Sequence, residues 1–409
     1  MNPEDLLSDA LHDRVERTDY PSTPLSTVAG RAGAIRARRR RTTFLAAAAA
    51  VAVVTVPGAV WLGHSPGSSP TPTGPLSSGP TSSPTVQTSI PPSLALDELP
   101  LGQKPGIDYI EGDTYVTMNG DRITSPDFTE ALTATPVRGG ILISKTSPPA
   151  VARAHGGLAP LYLVANGTGQ SLGCGSDRFA MSTDGTQSAY WVADSCTPGG
   201  TGKLYSGVNN TMGESGAGYA TTPAGSVYEP IGIVRQGTVV NVTRGVSQHP
   251  EIVDASGNAS PIATLAYANG SDENNDVVSG QLESSQDTGA VVDAASGAVV
   301  AEVPSWRLGQ FSTDGKYVLG YQPGDGFGTD RTAIFEAATG RKVLDLPSST
   351  LVLDVRGFAW DFDDTVLGVA TEGKQEAIVR FDLNGHATRA TMSRGVIDGN
   401  YAYRLATRP

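Results

Sequence analysis

The sequence predicts an all-β domain, a seven-bladed β-propeller, preceded by one transmembrane helix and a disordered linker. Three observations predict it: an uncharged run of twenty residues, a stretch rich in Pro, Ser and Thr, and strand–turn–strand patterns that recur at a steady period. We divide the chain into a cytoplasmic basic segment (1–42), the transmembrane helix (43–62), the linker (63–105) and the propeller domain (106–409).

The first segment contains a short amphipathic helix between residues 3 and 17. Leu7, Leu11 and Val15 follow one another at intervals of four, which places them on one helical face. This apolar face needs another surface to pack against. Packing on the basic stretch that follows, or on the bilayer, is favoured over a contact with a cytoplasmic protein.

The run Thr43 to Leu62 is long enough for one membrane span, since a helix needs about 20 residues to cross the hydrocarbon core. Four arginines precede it directly: Arg38, Arg39, Arg40 and Arg41. The positive-inside rule then places the N-terminus in the cytoplasm and the propeller outside, with the lipid bilayer as a partner. One alternative stays open, because residues 40–45 resemble a twin-arginine signal with one residue too many.

Residues 63–105 are too poor in large apolar side chains to form a core, which is typical of a disordered or extended linker. The net charge of the chain is −12, and the acidic surplus lies beyond the span. Such a surface repels nucleic acid, so we expect no nucleic-acid partner.

Cys174 and Cys196 are the only cysteines of the sequence. Both follow the span and would lie in the oxidising compartment, where a disulfide between them is expected. The alternative is a pair of buried free thiols. A zinc site is not expected, because two thiols without nearby histidine lack the ligands that zinc needs.

The propeller prediction rests on turn glycines that follow β-runs. Gly257, Gly297, Gly340 and Gly385 are 40, 43 and 45 residues apart, the period of propeller blades. A second pattern has Asp-Gly turns between strands, as at Asp184-Gly185 and Asp314-Gly315; such turns require positive φ, so we interpret the Asp-Gly glycines as structural. Six blades follow: 137–172, 177–212, 230–267, 276–303, 307–346 and 355–392. The hairpins 107–124 and 396–406 are then expected to pair as a seventh, which closes the ring.

Two motifs carry a family resemblance. FSTDGKYVLG (311–320) and FEAATGRKV (335–343) resemble the alternating motifs of WD-repeat-like propellers of the TolB and YVTN type. The resemblance covers residues 107–406 and implies the fold, while it says little of function. The basic segment, single span and linker are similar to those of membrane-anchored propeller proteins of actinobacteria.

We predict no catalytic, cofactor-binding or metal-binding residues, since the five histidines are scattered and no nucleophile motif occurs. Acidic loops around Asp272, Asp325 and Asp361 are interpreted as solvated turns rather than calcium sites. Trp191 and Trp360 are expected to pack between blades, while Trp306, Tyr321 and Phe327 are candidates for a ligand-binding face.

The function predicted from these features is a non-catalytic module that binds an extracellular protein or a cell-envelope ligand. One alternative is a propeller enzyme acting on carbohydrate or lactone substrates. Clustered carboxylates and histidine at the channel mouth would favour it. Another alternative is a transmembrane signal transducer that resembles an anti-sigma factor, although the zinc motif common in those proteins is absent.

Overall fold

The structure is a computed structural model, and it describes residues 95–137, 139–146, 158–182, 187–197, 199–208, 219–323, 329–346, 354–361, 364–396 and 402–406. The chain divides into two units, residues 1–81 and 82–409, and all described residues belong to the second. The predicted amphipathic helix, the predicted span with Arg38 to Arg41, and residues 63–94 of the predicted linker lie outside them. Within the described ranges, no helix has the length and apolar character needed to cross a membrane.

The described residues form twenty-nine strands and two short 3-10 helices, Leu96–Glu98 and Pro126–Glu130. The first eleven strands are β1 (Tyr109–Glu111), β2 (Thr114–Val116), β3 (Arg122–Thr124), β4 (Ala131–Val137), β5 (Gly140–Lys145), β6 (Ala159–Ala165), β7 (Thr168–Gly175), β8 (Ala180–Met181), β9 (Gln187–Ala193), β10 (Gly202–Val208) and β11 (Tyr219–Thr222). The next twelve are β12 (Ser226–Val234), β13 (Gly237–Arg244), β14 (Ser247–Val253), β15 (Ala259–Pro261), β16 (Leu265–Asp272), β17 (Val277–Leu282), β18 (Ser285–Asp293), β19 (Val299–Pro304), β20 (Arg307–Phe311), β21 (Tyr317–Pro323), β22 (Thr329–Glu336) and β23 (Lys342–Leu346). The last six are β24 (Asp354–Trp360), β25 (Thr365–Glu372), β26 (Gln375–Asp382), β27 (Ala387–Arg389), β28 (Arg394–Gly395) and β29 (Tyr403–Leu405).

These strands form antiparallel sheets of the kind expected for a propeller. Five sheets are separate blades of four or five strands: β29-β1-β2-β3, β12 to β15, β16 to β19, β20 to β23, and β24 to β28. A sixth sheet has eight strands, with the path β11-β10-β9-β7-β6-β5-β4 and β8 paired to β9. The all-β propeller prediction is therefore confirmed, whereas the prediction of seven separate blades is wrong.

The eight-stranded sheet exists because β7 pairs with β9 instead of ending at a free edge. Cys174 lies opposite Ala193, and Gly175 lies opposite Val192. The two stretches that were predicted as separate blades, 137–172 and 177–212, therefore share one sheet. The predicted disulfide between Cys174 and Cys196 is present at this junction.

The two ends of the domain close on one another, as predicted. Tyr109 of β1 lies opposite Leu405 of β29, and Glu111 lies opposite Tyr403. The C-terminal side contributes one described strand, β29, to this sheet, and residues 397–401 of the predicted hairpin lie outside the described residues. The four repeat glycines, from Gly257 to Gly385, have φ between +68° and +84°, which supports their structural role in turns.

A segment before β1, which we call the N-terminal strap (residues 95–106), lies against the blade β24 to β28. Leu96 and Leu99 are buried in that blade's core cluster. Arg380 donates to the carbonyl oxygens of Gln103 and Lys104, each at 2.8 Å. Composition alone assigned residues 95–105 to the linker.

The hydrophobic core lies between neighbouring sheets. One cluster joins β16 to β19 with β20 to β23, and another joins β20 to β23 with β24 to β28. Trp191 and Trp360 are both buried in such clusters, as predicted. The central strands of each blade contribute much of this buried apolar surface, as Val239 and Val240 of β13 and Val291 and Val292 of β18 do.

Candidate functional site

A cavity of about 910 Å³ lies where the first strands of consecutive blades approach one another. Its wall includes residues of β4, β12, β16 and β20, and of the segment between β7 and β8. A cavity of this volume is in the range of small-molecule and peptide sites. It is the strongest candidate site that the described part of the chain contains.

Bulges in the first strands shape this cavity. In β12, β16 and β20 the pairing register skips residues, and the skipped residues Ile231, Ala266, Asn269, Gly309 and Gln310 all line the cavity. A β-bulge leaves its extra residue unpaired and turns the side chain away from the regular alternation. The irregular pairing therefore places polar residues such as Asn269 and Gln310 at the wall.

Glu229 of β12 organises one side of the site. Its Oε1 accepts from Nε of Arg178 at 2.6 Å, and its Oε2 accepts from the hydroxyl of Tyr267 at 2.7 Å. The Glu229 side chain is 20% exposed and that of Arg178 is 45% exposed. Arg178 and Tyr267 both line the cavity, so Glu229 fixes two of its wall residues from behind.

The backbone around Arg178 is held as well. Its N–H donates to Oγ of Ser176 at 3.1 Å. The preceding carbonyl, that of Asp177, accepts from the hydroxyls of Thr133 and Ser144. Arg178 therefore enters the cavity from a segment tied to the neighbouring strands β4 and β5.

Two tyrosines of the wall stay protonated at neutral pH. Burial raises the pKa of Tyr267, and the charge of Glu229 raises it further, while Arg178 opposes the shift. Burial also raises the pKa of Tyr321, against a smaller opposing effect of Arg178. Both phenols therefore act as hydrogen-bond donors. Gly309 allows this packing, because a Cβ there would lie 2.6 Å from the Tyr321 ring.

Several polar side chains of the wall have no hydrogen-bond or ion-pair partner among the described residues. They comprise five amides and three charged groups: Gln248, Asn269, Gln281, Gln286, Gln310, Asp177, Glu283 and Arg307. The Oε1 atom of Gln310 is buried without a partner. A buried acceptor in this state costs about 1–3 kcal/mol. The wall is thus prepared for a polar ligand.

The wall residues that the structure describes include two carboxylates but no histidine, cysteine or serine. Among the described residues, no group of three or more His, Cys, Asp or Glu side chains is placed to hold a metal ion. Clustered carboxylates and histidine at the channel mouth would favour an enzyme. Among the described wall residues, carboxylates are present and histidine is not.

The acidic loops considered from sequence lie elsewhere. Asp272 accepts from the Asn274 N–H and from the Asn275 side chain within its own turn. Asp361 is paired with Arg380. Both aspartates are buried rather than solvated, so the interpretation as solvated turns is wrong for them.

Of the aromatic candidates, only Tyr321 lines the cavity. Trp306 is buried and packs edge-on against Phe335, with ring centroids 5.0 Å apart. Phe327 lies outside the described residues. Sequence reasoning missed Arg178, Glu229 and Tyr267, because they belong to no motif and meet only through the fold.

Comparisons with known proteins give little beyond the fold. No protein-family model matches the sequence, and no curated protein matches it. The chain is similar to prolyl oligopeptidase B from Galerina marginata, with 9% identity, a TM-score of 0.44, and coverage of 68% of this chain and 45% of that one.

TolB from Acinetobacter baumannii shares 12% identity at a TM-score of 0.34, with 68% of this chain and 61% of that chain covered. The β-propeller domain of the trilobed protease from Pyrococcus furiosus shares 12% identity at a TM-score of 0.40, with 68% and 89% covered. The chain thus spans less than half of the oligopeptidase and less than two thirds of TolB. Likenesses this distant carry no argument about function, and the fold assignment rests on the sheets described above.

Proposed function

We propose that the protein is a membrane-anchored, extracytoplasmic β-propeller that binds a protein or a cell-envelope ligand without transforming it. The observation that carries the proposal is the cavity, with amide and charged side chains that have no partner among the described residues. The anchor and its orientation rest on the run Thr43 to Leu62 and on the arginines before it. The resemblance to actinobacterial anchored propellers belongs to the same proposal.

Ligand binding in the cavity is tested by photo-crosslinking in intact cells. A photoreactive amino acid replaces Gln286, which lines the cavity, or Val300, which is exposed on the outer strand β19 as the matched control. Adducts are expected from position 286 and not from position 300. Adducts of equal yield from both positions, or none from position 286, would overturn the binding role.

The anchor is tested separately with a C-terminal tag. We expect the tag to sediment with membranes and to be digested by protease added to intact cells. A tag recovered in the medium, on a chain that lacks residues 1–60, would identify residues 43–62 as a cleaved signal. A tag that is protected inside the cell would reverse the proposed orientation.

One observation favours the enzyme alternative: Asp177 and Glu283 both line the cavity with carboxylates that have no partner in the described part of the chain. Two carboxylates facing one cavity are the minimum for general acid–base hydrolysis of a glycoside. Turnover of oligosaccharides or lactones by the full-length protein, lost in both Asp177→Asn and Glu283→Gln, would support this alternative over simple binding.

A further inference from the structure

The arrangement of Arg178 leaves part of its guanidinium available. Its Nε is bound to Glu229, while its two terminal nitrogens have no partner among the described residues. Both oxygens of Glu229 have a partner, because the second one accepts from Tyr267. A guanidinium fixed in this way presents two parallel N–H groups, which is the geometry that a carboxylate fills.

A second cation lies in the same wall. Arg307, at the start of β20, is exposed and has no acidic partner within the described ranges. The guanidinium groups of Arg178 and Arg307 are two places in the wall that can donate hydrogen bonds to a carboxylate. Asp177 and Glu283 in the same wall balance their charge, so recognition rests on direct contact with the guanidinium groups, and a polyanion would be repelled.

The amide side chains suit a peptide backbone. Gln248, Gln281, Gln286 and Asn269 each offer both a donor and an acceptor, which match the C=O and N–H groups of a peptide. Amides would also suit sugar hydroxyls.

The cavity rim distinguishes these two ligands. Val246 lies in the turn between β13 and β14, lines the cavity and is fully exposed. Contact with an apolar side chain of the ligand would bury Val246 from water, which is favourable. A peptide carries such side chains and a sugar does not.

We infer that the cavity binds a peptide segment through one carboxylate, held by Arg178 and Arg307, while the amide side chains pair with its backbone. This inference rests on the proposed binding function and names its ligand class. The carboxylate has two possible sources, the C-terminus of the peptide or an Asp or Glu side chain.

The test is equilibrium dialysis of the full-length protein in detergent against synthetic tetrapeptide mixtures, with retained peptides measured by mass spectrometry. One mixture has a free C-terminus and no Asp or Glu. A second has an amidated C-terminus and one Asp or Glu. A third is amidated and has neither. We expect the third to be retained about tenfold less than at least one of the others, since a charge-assisted hydrogen bond contributes roughly that factor or more.

Three arginine variants provide the controls. Arg178→Gln and Arg307→Gln are expected to reduce retention of the carboxylate peptides to the level of the third mixture. Arg341, like Arg178, is exposed and paired with a glutamate, but it lies outside the cavity. Arg341→Gln is therefore expected to leave peptide retention unchanged. Arg307 has no described partner to lose, so its variant tests binding even where Arg178→Gln unfolds.

Equal retention of all three mixtures, or equal effects of all three variants, would overturn the inference. So would retention of uronic-acid oligosaccharides by a protein that retains none of the peptides. In each of these cases the cross-links from position 286 still decide whether the cavity binds a ligand, so failure of the peptide inference is distinguishable from failure of the proposed function.

Discussion

The Asp361 side chain binds the N-terminal strap to the blade β24 to β28. Its replacement by asparagine tests how much this contact contributes to the stability of the fold. One carboxylate oxygen accepts from Nε of Arg380 at 2.7 Å, and the other accepts from the N–H of Gly106 at 2.8 Å. The Asp361 side chain is 2% exposed and that of Arg380 is 14% exposed. The pair is therefore buried and already compensated by hydrogen bonds.

The magnitude follows from what remains after the change. Breaking a buried pair costs about 3–5 kcal/mol, because the other charge is left without its partner. Arg380 keeps its two bonds to strap carbonyls, and asparagine keeps an acceptor for Gly106. We therefore expect Asp361→Asn to lower the free energy of unfolding by about 3 kcal/mol, near the lower end of that range.

The assay is urea unfolding of the full-length protein, followed by tryptophan fluorescence. The matched control is Asp345→Asn, where the aspartate is 35% exposed and its partners Arg331 and Lys342 are 52% and 30% exposed. An exposed pair contributes about 0–1 kcal/mol, so the control is expected to change little. If the two variants lose equal stability, the reasoning that burial makes the Asp361 pair important is refuted.

Two further predictions concern packing and pH. Gly202→Ala would place a Cβ 2.4 Å from the Trp191 ring, so we expect a loss of about 1–3 kcal/mol in urea unfolding. The same change at Gly395, where the nearest atom is 4.0 Å away, is expected to be neutral, and equal losses would contradict the packing argument. The hydrogen bond from Lys145 lowers the pKa of Asp127 below its usual 3.8, so the stability that Asp127 adds is present above that pH and lost as pH falls through the lowered value. Asp127→Asn should therefore lose stability relative to the native protein at about pH 7 and much less near about pH 2, and a gap independent of pH would contradict this.

The features that sequence predicted correctly can be recognised from short segments of the chain. A turn glycine with positive φ constrains only its own hairpin, so the repeat of Gly257, Gly297, Gly340 and Gly385 could be recognised without knowledge of the fold. The disulfide between Cys174 and Cys196 followed from there being only two cysteines in the chain. Closure of the ring by the two ends of the domain was predicted because two hairpins belonged to none of the six predicted blades.

The features that sequence missed depend on pairing between distant residues. The pairing of β7 with β9, which joins two predicted blades, leaves no compositional signal. The bulges that place Asn269 and Gln310 in the cavity are irregularities of register, and alternation patterns do not report them. Tyr267 and Glu229 are 38 residues apart and meet only because consecutive blades stack.

The pairing of β1 with β29 also has a consequence for the order of events during synthesis. Neighbouring hairpins close over a few residues, whereas Tyr403 meets Glu111 across 292 residues. Loop closure costs about 0.6 kcal/mol more for each doubling of loop length, so this contact costs roughly 2 kcal/mol more than one spanning a single blade of about 40 residues. The edge of β1 therefore stays open while the ribosome completes the chain, and ring closure is expected to be the last and slowest folding step.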